Sequence, residues 1–182
     1  GWEHAFDGGG TLVLNHAQIG ALTEQPFIDN NITATGNVLD AAKRAGIPYL
    51  VHMSSSVVKS LACDFYTETK KAQEKLVLQS GIPACVLRPT LMYGWFDRKH
   101  LGWLARFMHK SPIFPVPGNG RYMRQPLYAG DFCNIIISAV DKPRPNTIYD
   151  ISGREKVNYI DLIRAVKKAS GAKAKIVRIP YG

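Results

Sequence analysis

Long hydrophobic runs are missing from this sequence of 182 residues. No stretch of about eighteen consecutive apolar residues occurs, so the sequence predicts no membrane-spanning helix and no membrane partner. The first ten residues include Glu3 and Asp7 and hold no apolar segment of the kind found in signal peptides. We therefore expect a cytoplasmic protein.

Cysteine is scarce as well. The three cysteines, Cys63, Cys85 and Cys133, are scattered and odd in number. No Cys-x-x-Cys pair and no Cys/His cluster with zinc spacing occurs, so the sequence predicts no metal site. A reducing compartment is the simplest setting for such a chain.

Acidic residues are outnumbered by basic ones. The chain carries 23 lysines and arginines against 14 aspartates and glutamates, which gives a net charge of +9. An excess of this kind suits either nucleic acid or an anionic small molecule. The basic residues are dispersed, and the aromatic residues do not alternate with them as they do in stacking platforms. We therefore expect an anionic small-molecule partner and no nucleic acid.

Short apolar runs alternate with amphipathic segments along the chain. The pattern predicts strands at residues 11–17, 49–53, 84–87, 147–151 and 176–179, and helices at residues 29–45, 66–79, 100–109, 131–140 and 159–169. Asp131 is the predicted N-cap of its helix. Three prolines and two glycines between Ser111 and Gly120 predict a loop. Short strands that alternate with helices indicate an α/β fold with an open parallel sheet.

A tyrosine and a lysine stand four residues apart in the second predicted helix. Tyr66 and Lys70 therefore share one helix face, where the ammonium is expected to lower the pKa of the phenol and prepare it for proton transfer. This pair alone is a weak signal, because the spacing also arises by chance. Just upstream, Ser54, Ser55 and Ser56 follow a predicted strand, where open α/β sheets bind their ligands. Together these residues predict a catalytic group of hydroxyl, phenol and ammonium.

Five motifs follow one another in order between Leu12 and Ile163. They are Asn31–Gly46 (NITATGNVLDAAKRAG), Tyr49–Ser56 (YLVHMSSS), the pair Tyr66-x-x-x-Lys70, Leu87–Gly94 (LRPTLMYG), and Gly118-Asn119-Gly120 followed by Arg124, Tyr128 and Asp131. The set resembles the NAD(P)-dependent epimerase/dehydratase family, which are extended short-chain dehydrogenases/reductases. Five ordered motifs over nearly the whole chain are far more specific than any one of them.

The resemblance implies a role for seven residues. Tyr66 is the implied acid/base, Lys70 the implied ligand of the nicotinamide ribose, and Ser56 the implied hydroxyl that polarises the substrate. Arg124 is the implied clamp on the diphosphate of a nucleotide-sugar, for which a guanidinium is suited. The implied cofactor is NAD or NADP, and its implied contacts are Ala17, Asn31, Tyr66, Lys70 and Pro89.

The chain departs from the family pattern in two places. Family members open with a strand and a Gly-x-x-Gly-x-x-Gly turn that seats the cofactor pyrophosphate at a helix N-terminus. Here the only glycine cluster, Gly8-Gly9-Gly10, precedes a predicted strand. We therefore expect a partial Rossmann-like, doubly wound parallel sheet without its N-terminal strands, and little or no dinucleotide binding by this chain alone. Ser56 and Tyr66 are only ten residues apart, whereas the family commonly has a longer loop between these two positions. Either the active-site loop is shortened here and Ser56 is the catalytic hydroxyl, or this role belongs to Ser55.

We expect a single α/β domain over residues 1–182, with substrate-binding elements at about residues 92–130 and 154–182. The predicted function is an oxidoreductase that acts on a nucleotide-sugar by transient hydride transfer. The alternative is a non-catalytic remnant of the family that serves as a binding or assembly module. In the family's sheet the strand at residues 11–17 lies in the middle, next to the strands that are missing here. Without those neighbours it becomes an edge strand, and we expect this edge to form a homo-oligomer or to pair with residues 1–10.

Overall fold

The computed structural model describes residues 1–180. Its contacts divide the chain into two compact units. The first unit comprises Gly1–Pro89 and Cys133–Ile151, and the second comprises Thr90–Phe132 and the described residues from Ser152 onward. The second unit thus contains the segments for which the sequence predicts substrate-binding elements. That they bind substrate stays a prediction.

Within residues 1–180 the chain forms ten strands and six α-helices. The strands are β1 (Leu12–Leu14), β2 (Leu50–Met53), β3 (Ala84–Pro89), β4 (Met92–Tyr93), β5 (Ile113–Pro117), β6 (Met123–Arg124), β7 (Leu127–Tyr128), β8 (Thr147–Ile151), β9 (Val157–Asn158) and β10 (Lys175–Ile179). The α-helices are α1 (Gln25–Phe27), α2 (Ala34–Arg44), α3 (Phe65–Leu78), α4 (Leu101–Lys110), α5 (Ala129–Asp141) and α6 (Tyr159–Ser170). A π-helix, Ile28–Thr33, joins α1 to α2.

A four-stranded parallel sheet is the centre of the first unit. Its strand order is β1-β2-β3-β8, and every neighbouring pair is parallel. All four residues of β2 are buried, and Leu14, Leu50 and Val86 form a core with Leu39 of α2 and Val77 of α3. The predicted α/β class with a partial Rossmann-like parallel sheet is confirmed.

Local sequence signals set the ends of the two helices beside this sheet. Asp64 caps α3, since its carboxylate accepts hydrogen bonds from the Thr67 amide and hydroxyl at 2.9 and 2.8 Å. The helix ends ahead of Gly81, which has a positive φ of 80°. Gly46 follows α2 with a φ of 69°, as is common after a helix.

The second unit has its own small core. β5 and β10 form a parallel pair, and Phe114 and Val116 of β5 are buried together with Met108 of α4 and Ile163 of α6. Two further short pairs, β4 with β7 and β6 with β9, belong to this unit. None of the helices described in either unit is both long enough and apolar enough to traverse a bilayer.

Several expected elements differ from the structure. The predicted loop at Ser111–Gly120 is wrong, because β5 lies within it and pairs with β10. Its prolines are tolerated since β5 has a partner on one side only. Asp131 is not an N-cap, because α5 already begins at Ala129. The strand at residues 11–17 is only Leu12–Leu14.

The amino-terminal residues do not form a surrogate strand. Trp2–Phe6 is instead a short 3-10 helix. β1 is one edge of the four-stranded sheet, and a homo-oligomer formed through this edge stays a prediction.

Candidate active site

Three serines follow the carboxyl end of β2. Ser54 is buried, and its hydroxyl donates to Oε2 of Glu74. Ser55 precedes the 3-10 helix Ser56–Lys59 and accepts the Val57 amide with its hydroxyl at 3.4 Å. The side chain of Ser55 also neighbours that of Tyr66 and acts to lower the pKa of its phenol. Of the two serines that the sequence left open for the catalytic hydroxyl, Ser55 is thus the one beside the phenol.

Tyr66 lies in the first turn of α3 and is partly buried. Burial raises the pKa of its phenol above the ordinary value, and the neighbouring Ser55 hydroxyl opposes this rise. The expectation that Lys70 lowers the pKa of Tyr66 is not met. The reason is geometric, since the ammonium of Lys70 is held by other acceptors.

Lys70 is the largest fully buried side chain of the described residues, with only 1% of its surface exposed. Its Nζ donates to the Met53 carbonyl oxygen at 3.0 Å and to Oε1 of Gln73. Burial lowers the pKa of Lys70 to about 8, and the nearby Glu74 carboxylate partly offsets this effect. Its amine therefore titrates close to neutral pH.

Gln73 connects Lys70 to the chain that follows β1. Its Nε2 donates to Thr35 Oγ1 at 2.9 Å and to the His16 carbonyl oxygen at 3.3 Å. The His16 ring, in turn, lies 3.0 Å from the same Thr35 hydroxyl. Burial and the charge of Lys70 lower the pKa of His16. The sequence analysis missed this connection, although Gln73 lies three residues after Lys70 and so shares its helix face.

Asn31 fixes the loop that contains the exposed Ala17. Its fully buried amide accepts the Gln18 amide hydrogen at 2.6 Å and donates to the Gln18 carbonyl oxygen at 3.2 Å. It also donates to Thr69 Oγ1 of α3 at 3.0 Å. Asn31 therefore holds the segment after β1 against α3. Cofactor contacts of Asn31 and Ala17 stay predictions.

A charged pair links α3 to β3. Glu74 accepts two hydrogen bonds from Arg88, of which the one from Nε measures 3.0 Å. Arg88 also lies 3.8 Å from Asp150 of β8, which pairs with Lys59. Since Glu74 also binds Ser54, this carboxylate anchors the start of the serine segment to the sheet. Pro89, an implied cofactor contact, is buried at the end of β3.

His52 of β2 is a further buried titratable group that the sequence analysis missed. It is 0% exposed and pairs in register with Leu14 and Val86. Burial, followed by the charge of Lys70, lowers the pKa of His52 to about 3. The ring is therefore neutral at physiological pH.

Arg124 lies in the second unit. Its guanidinium carbon is 4.8 Å from the ring centre of Tyr122 and 6.0 Å from that of Tyr159. Among the described residues Arg124 takes part in no salt bridge. It lines a cavity of about 180 Å³ in this unit together with Trp103, Tyr159 and Leu162.

The residues of the first unit fit one end of a dinucleotide better than the other. An ammonium has three donors, and Lys70 uses two of them on neutral oxygens, which leaves one for a ribose hydroxyl. No Gly-x-x-Gly-x-x-Gly turn occurs in the sequence. Gly9 is packed against Ile47, whose Cδ1 would lie 2.9 Å from an added Cβ, and it precedes β1 rather than following a strand. Within the described residues, we find a fit to the nicotinamide end and none to the pyrophosphate.

Several curated proteins are similar to this chain in sequence. The chain is 26% identical to 4-hydroxy-2-methyl-3-oxo-4-farnesyl-3,4-dihydroquinoline-1-oxide ketoreductase of Stigmatella aurantiaca, over 87% of this chain and 53% of that protein. It is also 26% identical to dTDP-glucose 4,6-dehydratase of Actinoplanes sp., over 87% of this chain and 56% of that protein. The chain thus spans about half the length of these curated relatives.

Solved structures share the fold. The UDP-glucuronic acid 4-epimerase of Bacillus cereus, in complex with NAD, superposes with a TM-score of 0.79 and is 24% identical, over 92% of this chain and 62% of that one. The family model described as "NAD dependent epimerase/dehydratase family" matches residues 13–152. With most of its length matched by this model, the chain belongs to the NAD-dependent epimerase/dehydratase family.

Proposed function

We propose that this chain carries the catalytic centre of an NAD(P)-dependent oxidoreductase that acts on a nucleotide-sugar by transient hydride transfer. The observation that supports the proposal most directly is that the Ser55 side chain neighbours the phenol of Tyr66 just after the carboxyl end of β2. The buried amine of Lys70, one helical turn after Tyr66, belongs to the same unit. When bound, NAD or NADP would accept a hydride from a substrate carbon and return it.

The side chains of the first unit handle the proton. Tyr66 would accept the proton of the substrate hydroxyl as the hydride leaves the adjacent carbon, and would return it to the carbonyl oxygen when the hydride returns. The raised pKa of Tyr66 favours the protonated phenol, which is the donor in the second of these steps. Ser55, or Ser56 as first assigned, would donate a hydrogen bond to the same oxygen. Lys70 would orient the ribose with its remaining donor.

The substrate class rests on charge and on Arg124. A net charge of +9 favours an anionic ligand. Within residues 1–180 the Arg124 guanidinium stacks over aromatic rings and forms no salt bridge, which suits a diphosphate. One relative is named a dTDP-glucose dehydratase and one structure a UDP-glucuronic acid epimerase. Nothing in these comparisons favours the alternative of a non-catalytic remnant.

The experiment that tests the catalytic role is the Tyr66→Phe substitution. The chain is assayed at high NAD or NADP concentration with UDP-glucose, UDP-glucuronic acid and dTDP-glucose, and products are identified by mass spectrometry. Loss of the acid/base should reduce turnover by about 10²–10⁴-fold, while Tyr149→Phe, an exposed tyrosine of the same unit, should leave the rate unchanged. A near-normal rate for Tyr66→Phe, or no turnover by the unmodified chain, would contradict the proposal.

A second experiment isolates the diphosphate contact from catalysis. Binding of UDP and dTDP is measured by calorimetry for Arg124→Lys and for the control Arg121→Lys, a neighbouring exposed arginine. Because a point charge loses the bidentate fit, Arg124→Lys should weaken binding and the control should not. Unchanged affinity in Arg124→Lys would remove Arg124 from the substrate site.

A further inference from the structure

We propose that residues 95–110, which we call the aromatic–basic segment, bind the surface of a membrane that contains anionic lipids. The segment includes the loop after β4 and the helix α4, and it lies wholly within the second unit. The proposal concerns a surface contact, and it replaces the expectation from the sequence that the chain has no membrane partner. The segment also supplies Lys99 and Trp103 to the cavity that Arg124 lines.

Large aromatic side chains project into solvent from this segment. Trp95 is 82% exposed and Phe96 is 91% exposed, and Trp103 in the first turn of α4 is 49% exposed. Removing such a side chain from water is favourable in proportion to its apolar area. Exposed aromatic residues at successive positions therefore indicate a surface that is covered in another state.

The loop is held in this exposed conformation by its own hydrogen bonds. The Asp97 carboxylate accepts the amides of Lys99, His100 and Gly102 at 3.0, 2.8 and 3.0 Å. The Arg106 guanidinium donates to the carbonyl oxygens of Asp97 and Arg98. These hydrogen bonds attach the loop that carries Trp95 and Phe96 to α4.

Backbone strain accompanies this exposure. Phe96 has a φ of 65°, in the left-handed region that bulky residues rarely adopt. Both the backbone strain and the exposure of the apolar ring to water destabilise the folded chain. Backbone strain of this kind is typical of functional segments. Gly102 approaches the chain so closely that an added Cβ would lie 1.8 Å from the Asp97 carbonyl oxygen.

Positive charge surrounds the exposed aromatic side chains. Four cations, Arg98, Lys99, Arg106 and Lys110, are exposed, whereas Asp97 is the only acid of the segment. The Asp97 carboxylate is directed at backbone amides, which also lower its pKa against the effect of burial. On α4 the positions 103, 106 and 110 share one face, while Leu101 and Met108 are buried.

The positive charges and the exposed aromatic side chains together indicate which partner the segment binds. Phosphate groups or carboxylates alone would pair with the cations but leave Trp95 and Phe96 in water. A second copy of this chain, which carries a net charge of +9, would bring like charges together. Anionic lipid headgroups pair with lysine and arginine, and the interface beneath them accepts tryptophan and phenylalanine.

The test uses the 182-residue protein and lipid vesicles, without substrate or cofactor. Binding is measured by co-sedimentation with vesicles of phosphatidylcholine alone and with vesicles that contain about one third phosphatidylserine. We expect binding to the second composition only, with a blue shift of tryptophan fluorescence. Raising the salt to about 1 M shortens the Debye length to about 3 Å and should release the protein.

Two pairs of variants separate the contributions. Trp95→Ala/Phe96→Ala should reduce binding at least tenfold and abolish most of the blue shift. Arg98→Gln/Lys99→Gln should reduce it about 30-fold, which corresponds to about 2 kcal/mol for two cations. The matched controls, Leu22→Ala/Leu61→Ala and Lys173→Gln/Lys175→Gln, change exposed residues elsewhere and should bind like the unmodified protein.

Several results would overturn the proposal. Absence of binding to the anionic vesicles is one, and equal binding to pure phosphatidylcholine is another, because it would indicate simple apolar uptake. Equal losses in the control variants would show that net charge or general stickiness governs binding. If light scattering shows a dimer that Trp95→Ala/Phe96→Ala converts to a monomer, a second copy covers the segment. Circular dichroism establishes that each variant is folded.

Discussion

At the scale of single residues, the candidate site is unusual in its number of buried polar and charged side chains. Lys70, His52, Gln73 and Asn31 each have at most 1% of their surface exposed. Burying a cation or a histidine costs free energy unless partners offset it, and such groups with displaced pKa values occur preferentially at functional sites. The buried polarity beneath the serine segment therefore agrees with the proposed catalytic role of this region.

The first prediction concerns His52 and acid. Its pKa is about 3 in the folded chain and 6.5 as the ordinary value, so between these pH values the unfolded chain binds more protons. The contribution of the neutral ring to stability is complete above pH 6.5 and is lost as the pH falls toward 3, at up to about 1.4 kcal/mol per pH unit. We expect His52→Leu to be less sensitive to acid than the unmodified chain over this window.

Urea unfolding at a series of pH values measures this difference. His4→Gln is the matched control, since the His4 side chain is exposed, and should follow the unmodified chain. An identical pH dependence for the unmodified chain and His52→Leu would show that His52 is not a source of acid sensitivity.

The second prediction concerns Lys70 and alkali. Its pKa is lowered from 10.5 to about 8, chiefly by burial. Folding therefore becomes more favourable as the pH rises from 8 to 10.5, because the folded chain no longer has to keep a proton on a buried amine. Relative to Lys70→Met, we expect the unmodified chain to gain about 3 kcal/mol across this window.

The measurement is again denaturant unfolding, now between pH 7.5 and 10.5. Lys75→Met, which removes an exposed lysine from the same helix, is the control and should track the unmodified chain. A constant difference between Lys70→Met and the unmodified chain would mean that Lys70 is hydrated in solution.

At the scale of helices and strands, local signals were sufficient where structure is set locally. The periodic apolar positions and the glycines after α2 and α3 placed both helices within a few residues. β5 was missed because its partner β10 is far away in the sequence and because prolines like those in β5 are typical of loops. Spacing put Tyr66 and Lys70 on one helix face, but it could not show that the Met53 carbonyl and Gln73 hold the ammonium. The choice of Ser55 over Ser56 as neighbour of the phenol depends on the 3-10 turn, which has no clear sequence signal.

The third prediction tests the link between α3 and β3. Glu74 is buried and receives Arg88 and the Ser54 hydroxyl, so Glu74→Ala leaves a mostly buried guanidinium with only Asp150 nearby. We expect a loss of about 3 kcal/mol in the free energy of unfolding. Glu68→Ala removes an exposed carboxylate from the same helix, where it pairs with Lys71, and should cost less than about 0.5 kcal/mol. Equal costs for the two variants would show that the Glu74–Arg88 pair does not hold α3 to the sheet.

At the scale of the whole molecule, the chain has two units with separate cores and separate chemistry. The first contains the serine segment, Tyr66 and Lys70, and the second contains Arg124 and the aromatic–basic segment. The family model matches residues 13–152 and so reaches into both units. Variants in the first unit can therefore be separated from variants in the second, whereas changes at Lys99 or Trp103 also alter the cavity that Arg124 lines.

The last prediction is that this 182-residue chain binds NAD and NADP weakly. A dinucleotide obtains much of its affinity from its pyrophosphate, which a glycine-rich turn brings close to the amides at a helix N-terminus. The sequence contains no Gly-x-x-Gly-x-x-Gly turn, and the packing of Gly9 against Ile47 ahead of β1 rules it out as a substitute. What remains is the nicotinamide end, where Lys70 offers one free donor. We expect calorimetry to give a dissociation constant of about 1 mM or weaker, equivalent to no more than about 4 kcal/mol. Lys70→Met should weaken this residual binding further, whereas Lys75→Met should not. A micromolar dissociation constant for either dinucleotide would show that other residues of this chain supply the pyrophosphate site.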